Sequence, residues 1–282
     1  MDFSPLIQVD ELQPLLAGPQ VSRPVVLDVR FRLGVSTGRK DFEEAHIPGA
    51  AYVDMDTELA TIRADGAGGR HPMPTAETFA AAMRSAGVTH SRRVVAYDGW
   101  SSLPASRVWW MLRHLGFTDV RVLDGGIAAW TAAGHPTESG HSTPAAGDFT
   151  PSIPGVGRVL DAAGARRYAD RHLLLDARAA DRFHGENETI DAVAGHIPNA
   201  LSGPALSNVD LDGRFLPADE LAARFRQLGA ADAQNVGTYC GSGIQATHLA
   251  LALSVAGITD EADVYIGSWS DWITDPERQV EI

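Results

Sequence analysis

Two patterns of apolar residues alternate along this chain of 282 residues. Short β-branched and aliphatic runs occur at 25–29, 94–97 and 120–123, and again at 173–175, 236–239 and 264–266. Their length and composition are those of buried strands. The stretches 75–86, 105–115, 217–228 and 245–255 read as helices lying between them. Alternating strands and helices predict an α/β architecture in which mainly parallel sheets are covered by helices. Ligands of such sheets bind beyond the carboxyl ends of the strands, so the loops that leave the strands are where chemistry is expected.

The pattern repeats. VVLDVR at 25–30 returns as LLLDAR at 173–178, AHIPGA at 45–50 as GHIPNA at 195–200, and VVAYD at 94–98 as VGTYC at 236–240. Asp28 and Asp176 lie 148 residues apart, His46 and His196 150, Asp98 and Cys240 142, and Trp130 and Trp272 again 142. A period this long is that of a duplicated domain, since solenoid units repeat every 20 to 50 residues or so. Residues 136–157, dense in Pro, Gly, Ser and Thr, lack apolar periodicity and mark the connection. The expected organisation is a first domain at 1–140, a linker at 141–157 and a second domain at 158–282.

Charge restricts the partners. With 36 acidic against 23 basic residues the net charge is −13, which leaves little for the basic face that nucleic acid requires. The whole-protein field repels an anionic substrate, so a few arginines in a local pocket would have to gather it. The longest mostly apolar stretch, 249–258, is well short of the roughly 18 residues of a membrane span, and the first residues lack a basic region ahead of an apolar one. Neither membrane insertion nor secretion is expected. Cys240 is the only cysteine, which excludes an internal disulfide and fits a reducing cytoplasm.

A lone cysteine is commonly a small buried hydrophobe. Cys240 differs in its neighbours, because it ends a strand and precedes GSGIQATHLALAL, a glycine-containing turn into a buried helix. Gly241 and Gly243 allow a tight turn in which the N–H groups of Gly241, Ser242, Gly243, Ile244 and Gln245 can cradle a thiolate or an oxyanion. Three other readings of this loop fail. GSGIQA fits a dinucleotide fingerprint, but the acid that should follow the next strand is missing, since Gly267, Ser268 and Trp269 stand there. A cysteine phosphatase would carry an arginine where this chain has Ala246. The ten histidines show no metal-ligand spacing and there is no second thiol, so neither a metal nor another cofactor is expected.

The two copies of LD-x-R followed by HIP-x-A, the first copy's ASRVWWMLR and LDGG, and the second copy's RF-x-G, CGSG-x-x-A and GSW-x-x-W resemble tandem-domain rhodanese-like sulfurtransferases. The loop is most similar to the 3-mercaptopyruvate and thiosulfate sulfurtransferase branch. The resemblance implies two rhodanese-like domains and a relay in which Cys240 takes a sulfane sulfur from a small anionic donor. The resulting persulfide gives it to a thiol, a thioredoxin-like protein or cyanide. The first domain would be inactive, because Asp98 stands at the place of the cysteine. Arg182 of DRFHG matches the arginine that holds the donor's anionic group, a surface salt bridge being the alternative. Arg30 and Arg178 recur in both copies and so suggest ion pairing at a strand end.

His46 and His196 likewise recur, which points to turn architecture, although the resemblance also implies a proton relay between Ser242 and a first-domain histidine, here His46. Ser242 could equally satisfy backbone groups. Trp109, Trp110, Trp130, Trp269 and Trp272 are expected in the core. The chain departs from the family pattern at Thr189, where a second arginine is common, at Gln245 in place of Thr, and at Asn199 in place of Gly. Because the loop is uncharged, mercaptopyruvate is the expected donor. The alternatives are a thiosulfate:cyanide sulfurtransferase and, from a different class, a non-catalytic binding module of the same fold.

Overall fold

The computed structural model describes residues 4–153 and 155–282. The chain forms two compact units. The first contains residues through Leu59, Pro74–Gly155 and Leu211–Phe215; the second contains Ala60–Met73, Val156–Asp210 and Leu216–Ile282. Each repeat thus gives a short segment to the other's unit.

In the first unit β1 (Leu6–Ile7), β2 (Val25–Asp28), β3 (Ala51–Tyr52), β4 (Val94–Tyr97) and β5 (Val120–Leu123) form a parallel sheet in the order β1-β5-β4-β2-β3. Helices α1 (Val9–Ala17), α2 (Gly38–Glu44), α3 (Ala76–Ser85), α4 (Leu103–His114) and α5 (Gly126–Ala132) belong to this unit. The central strands are buried throughout, as continuous Val and Leu runs covered on both faces must be. At the start of α3 the Thr75 side chain accepts the N–H of Thr78, satisfying one of the donors that a helix start leaves open.

The second unit has α6 (Ala162–Ala169), β6 (Leu173–Asp176), α7 (Ala180–Phe183), β7 (Leu201–Ser202), α8 (Ala218–Gln227), β8 (Val236–Tyr239), α9 (Ile244–Val255), β9 (Asp263–Val264) and α10 (Ser268–Trp272). Its parallel sheet runs β7-β6-β8-β9, and an isolated parallel bridge from Val159 to Val264 occupies the place of β1. The two units therefore share one topology. β9 ends at Val264 instead of at 266, because Tyr265 makes a last bond to Thr238 and the chain then turns into α10 at Ser268, whose φ is +56°.

Equivalent residues do equivalent work in the two units. Arg30 pairs with Asp28 and donates to the carbonyl of Ala45 at 2.6 Å; Arg178 pairs with Asp176 and donates to the carbonyl of Gly195 at 2.7 Å. Each arginine thus ties a strand end to the turn that carries the HIP motif. In those turns the Tyr97 hydroxyl accepts the N–H of Ile47, and the Tyr239 hydroxyl that of Ile197, both at 3.1 Å. Asn199 departs from glycine without changing the turn. Its φ is +67° against +76° at Gly49, a region that Asn tolerates best among residues with a Cβ. The five tryptophans named above are all buried.

Candidate active site

Cys240 lies at the carboxyl end of β8 and is 1% exposed. Its sulfur accepts the N–H of Gly243 at 3.0 Å and that of Ser242 at 3.4 Å. The carbonyls of the loop face the other way: that of Cys240 accepts from Trp269 N–H at 2.9 Å, and that of Gly241 from Ser270 N–H at 3.0 Å. The Cys240 N–H donates to Ser268 Oγ at 3.0 Å, and the Ser268 hydroxyl donates to the carbonyl of Tyr265 at 2.8 Å. With its carbonyls pinned to the start of α10, the loop has N–H groups left for the sulfur. Gly243 enters α9 with φ at +84°, a left-handed conformation that glycine adopts without steric cost.

The cradle is narrower than the five N–H groups expected. Among the described residues only Ser242 and Gly243 send a backbone N–H to the sulfur. The Gly241 carbonyl is taken by α10, and Ile244 and Gln245 open α9, where helix geometry leaves their N–H groups without intrahelical partners.

Two guanidinium groups stand over the residue that follows the cysteine. A methyl placed on Gly241 would lie 2.8 Å from Arg70 Nη2 and 3.7 and 3.8 Å from Arg182 Nη1 and Nη2. Arg182, on α7, donates through Nε and Nη2 to Glu188 at 2.9 to 3.2 Å and through Nη2 to Asp191 at 2.8 Å. Arg70 pairs through Nη1 with the other oxygen of Asp191. The acidic run that includes Glu188 and Asp191 therefore folds onto the site, with both carboxylates only 3% exposed. Burial pushes the Glu188 carboxyl up, but the N–H groups of Asp191 and Ile190 and the Arg182 fork outweigh it and hold the group below its ordinary value.

Arg70 was absent from the sequence-based candidates, which drew the donor pocket from the second repeat alone. One signal for it exists in the chain. Gly69-Arg70 ahead of Pro72 returns 144 residues later as Gly213-Arg214 ahead of Pro217, and each pair lies in the unit of the other repeat. The Arg70 segment is held in the second unit by Gly68 N–H to Asp271 and Arg70 N–H to Ser270 Oγ, each at 3.0 Å.

His46 belongs to the first unit. It is 2% exposed, stacks on Phe42 and holds the Phe42 carbonyl through Nδ1 at 2.8 Å. His196 does the same with Phe183 at 2.9 Å in the second unit. Each histidine thus ties its own turn to the phenylalanine that it stacks on. The first-repeat histidine located in the unit of Cys240 is His71, which is buried next to Arg70.

Two segments, residues 8–133 and 160–275, match the model of the rhodanese-like domain. The chain belongs to the rhodanese-like family of sulfurtransferases. It is 41% identical over 285 residues to a protein of Pseudomonas aeruginosa named "Probable 3-mercaptopyruvate sulfurtransferase", covering 99% of each chain. It is 39% identical over 278 residues to "Putative thiosulfate sulfurtransferase SseB" of Mycobacterium tuberculosis, covering 98% of this chain and 96% of that one. Among solved structures, that of SseA from Escherichia coli, described as a 3-mercaptopyruvate sulfurtransferase, superposes with a TM-score of 0.80 at 28% identity. The superposition covers 95% of this chain and all of that one. Like these relatives, the rhodanese-like enzyme described here is a transferase with two parallel-sheet domains flanked by helices. Among the described residues no helix is long and apolar enough to cross a membrane, and no three His, Cys, Asp or Glu side chains gather as metal ligands would.

Proposed function

We propose that this sulfurtransferase moves sulfur from 3-mercaptopyruvate through a persulfide on Cys240 to a thiol, a thioredoxin-like protein or cyanide. The thiolate attacks the donor sulfur. The carbon–sulfur bond breaks, its electron pair leaves with carbon as the enolate of pyruvate, and protonation gives pyruvate. An acceptor thiolate or cyanide then takes the outer sulfur and returns Cys240 to the thiolate. The observation that carries this reading is the pair of N–H groups aimed at Sγ, which offset negative charge on the sulfur both before transfer and when the acceptor departs with the outer atom.

Donor choice follows from charge. Residues 241–245 are uncharged, and the two guanidiniums over Gly241 face two carboxylates, Glu188 and Asp191. Four groups of balanced charge suit a monocarboxylate better than thiosulfate, a compact dianion that needs two unspent positive charges. Arg182 is the residue assigned to the donor carboxylate. A single thiol with no partner for a disulfide suits work in a reducing cytoplasm.

Mixing the protein with mercaptopyruvate and no acceptor should add one sulfur atom to Cys240, seen by intact mass spectrometry and abolished in Cys240→Ser. Steady-state kinetics should give a higher kcat/KM for mercaptopyruvate than for thiosulfate. Full activity in Cys240→Ser would overturn the mechanism, and a thiosulfate kcat/KM equal to or above that of mercaptopyruvate would overturn the choice of donor.

A further inference from the structure

Asp191 is placed as a bound substrate carboxylate would be. One of its oxygens takes Nη1 of Arg70, and the other takes Nη2 of Arg182 at 2.8 Å and lies 3.4 Å from Nη2 of Arg70. Both guanidiniums stand over Gly241, one residue from the sulfur. Glu188 next to it is held differently, by the backbone N–H groups of Ile190 and Asp191 at 2.9 Å as well as by Arg182 and Arg178. Glu188 is thus a fixed part of the loop. Asp191 is held at its carboxylate by the two arginines that a donor would need. Arg70 also keeps a donor in reserve, since its Nε is buried and without a hydrogen-bond partner among the described residues.

We propose that Arg70 and Arg182 together form the donor's carboxylate site and that Asp191 fills it in the resting protein, so that a donor binds by displacing the Asp191 carboxylate. This assignment rests on the functional reading above and adds two residues to it. Exchanging one carboxylate for another leaves both guanidiniums paired throughout, so neither is stranded in a buried site at any stage. It also makes the site selective. A monocarboxylate replaces Asp191 charge for charge, whereas a neutral compound cannot replace it without unpairing Arg70, Arg182 staying paired with Glu188. Asp191 therefore weakens binding of every donor by the work of displacing it, and Arg70 strengthens binding of those that carry a carboxylate.

The test separates binding from sulfur transfer by using pyruvate, a monocarboxylate with no sulfur to give, titrated calorimetrically into Cys240→Ser protein. In that background Asp191→Asn should bind pyruvate about tenfold more tightly and Arg70→Gln about tenfold more weakly, the scale of one hydrogen bond to a charged group. In the double variant the gain from Asp191→Asn should shrink to less than about threefold, because the arginine it releases is gone. Arg70 is partly exposed and Arg70→Gln gives an independent reading if Asp191→Asn lowers the melting temperature. Equal affinity in the parent and Arg70→Gln proteins would overturn the role of Arg70. Equal affinity in the parent and Asp191→Asn proteins, both folded, would overturn the displacement. Either result with normal sulfur loading of the Cys240 protein leaves the sulfurtransferase mechanism standing, whereas absence of loading with the expected affinities overturns that mechanism and keeps the site.

Discussion

The cradle around Cys240 depends on one backbone conformation, and substituting Gly243 by alanine tests it. Gly243 has φ +84° and ψ −6°, and its N–H is the nearer of the two at the sulfur, at 3.0 Å. Any L-residue there costs about 1–2 kcal/mol to hold in the left-handed region. The chain has one way to relieve that cost while α9 stays in place. It turns the 242–243 peptide about the N–Cα bond of residue 243, which takes this N–H off the sulfur. A hydrogen bond to a charged group is worth about 1.5–3 kcal/mol, more than the strain. At about 1.36 kcal/mol per factor of ten, its loss amounts to roughly a tenfold to hundredfold drop in reactions that need the thiolate. If the loop holds its shape instead, the strain appears as lost stability, at about 2–4 °C of melting temperature per kcal/mol for a protein of this size.

Gly243→Ala should therefore slow the alkylation of Cys240 by iodoacetamide at pH 7 and the loading of sulfur from mercaptopyruvate by similar factors, because alkylation requires no donor pocket. Two rates and one melting curve decide it. If both rates and the melting temperature match the parent protein, the left-handed turn at 243 contributes nothing and the cradle argument is wrong. The same strain means that basic residues introduced to draw thiosulfate belong at position 242 and not at 243.

Two further perturbations probe the scaffold under the site. Arg178 is fully buried between Asp176, Glu188 and the Gly195 carbonyl and stacks on Trp269, so Arg178→Met strands buried acceptors and should cost about 3–5 kcal/mol in urea denaturation. Arg30→Met, at a side chain 12% exposed, should cost less, and the reverse order would refute the burial argument. Burial raises the Asp98 carboxyl to about 6, against the opposing N–H bonds from Ala105, Trp100 and Ser102. The native state then takes up this proton before the unfolded state does, so the contribution of Asp98 to stability is fully present below about pH 3.8 and is lost as pH rises through about 6. Carbon-13 titration of Asp98 should show a midpoint near 6, and the stability of the parent relative to Asp98→Asn should fall from pH 4.5 to 7.5; a midpoint near 4 would contradict both.

The sheet and its central strands were legible because the short apolar runs at 25–29, 94–97, 120–123, 173–175 and 236–239, rich in Val and Leu, have no competing helical pattern. The short edge strands β1, β3 and β7, two residues each, carry no periodicity that could reveal them. Cys240 was legible because a strand, a glycine turn and an apolar helix meet at it in sequence. Arg70 was not, for a physical reason. Its segment, 60–73, has no regular structure and joins the second unit through contacts with Ser270 and Asp271, 200 residues or more away. The run from Glu186 to Asp191 is acidic in sequence, but nothing in that composition shows that Glu188 and Asp191 fold inward onto arginines.

The two repeats place different acceptors at the end of the same strand, Asp98 after β4 and Cys240 after β8. At the end of β8 a sulfur takes the N–H groups of the second and third residues after it. At the end of β4 the Asp98 carboxylate takes those of Trp100 at 2.7 Å and Ser102 at 3.1 Å with one oxygen, and that of Ala105 at 2.8 Å with the other. Both strand ends are thus built to receive an anion. A carboxylate has two oxygens and spans three donors, reaching into the first turn of α4, while a sulfur satisfies two. The first loop is also longer by one residue: its helix cap is Ser102, four residues after Asp98, while that of α9 is Gly243, three after Cys240. Ser101 and Ser102 both have positive φ, at +53° and +62°, a strained pair that the Asp98 hydrogen bonds help to hold. The first copy therefore differs from the second by more than the loss of a thiol. Its carboxylate is bound into the loop by three backbone N–H groups and holds the turn, whereas the Cys240 sulfur takes two backbone N–H groups, with the Ser268 hydroxyl 3.9 Å away.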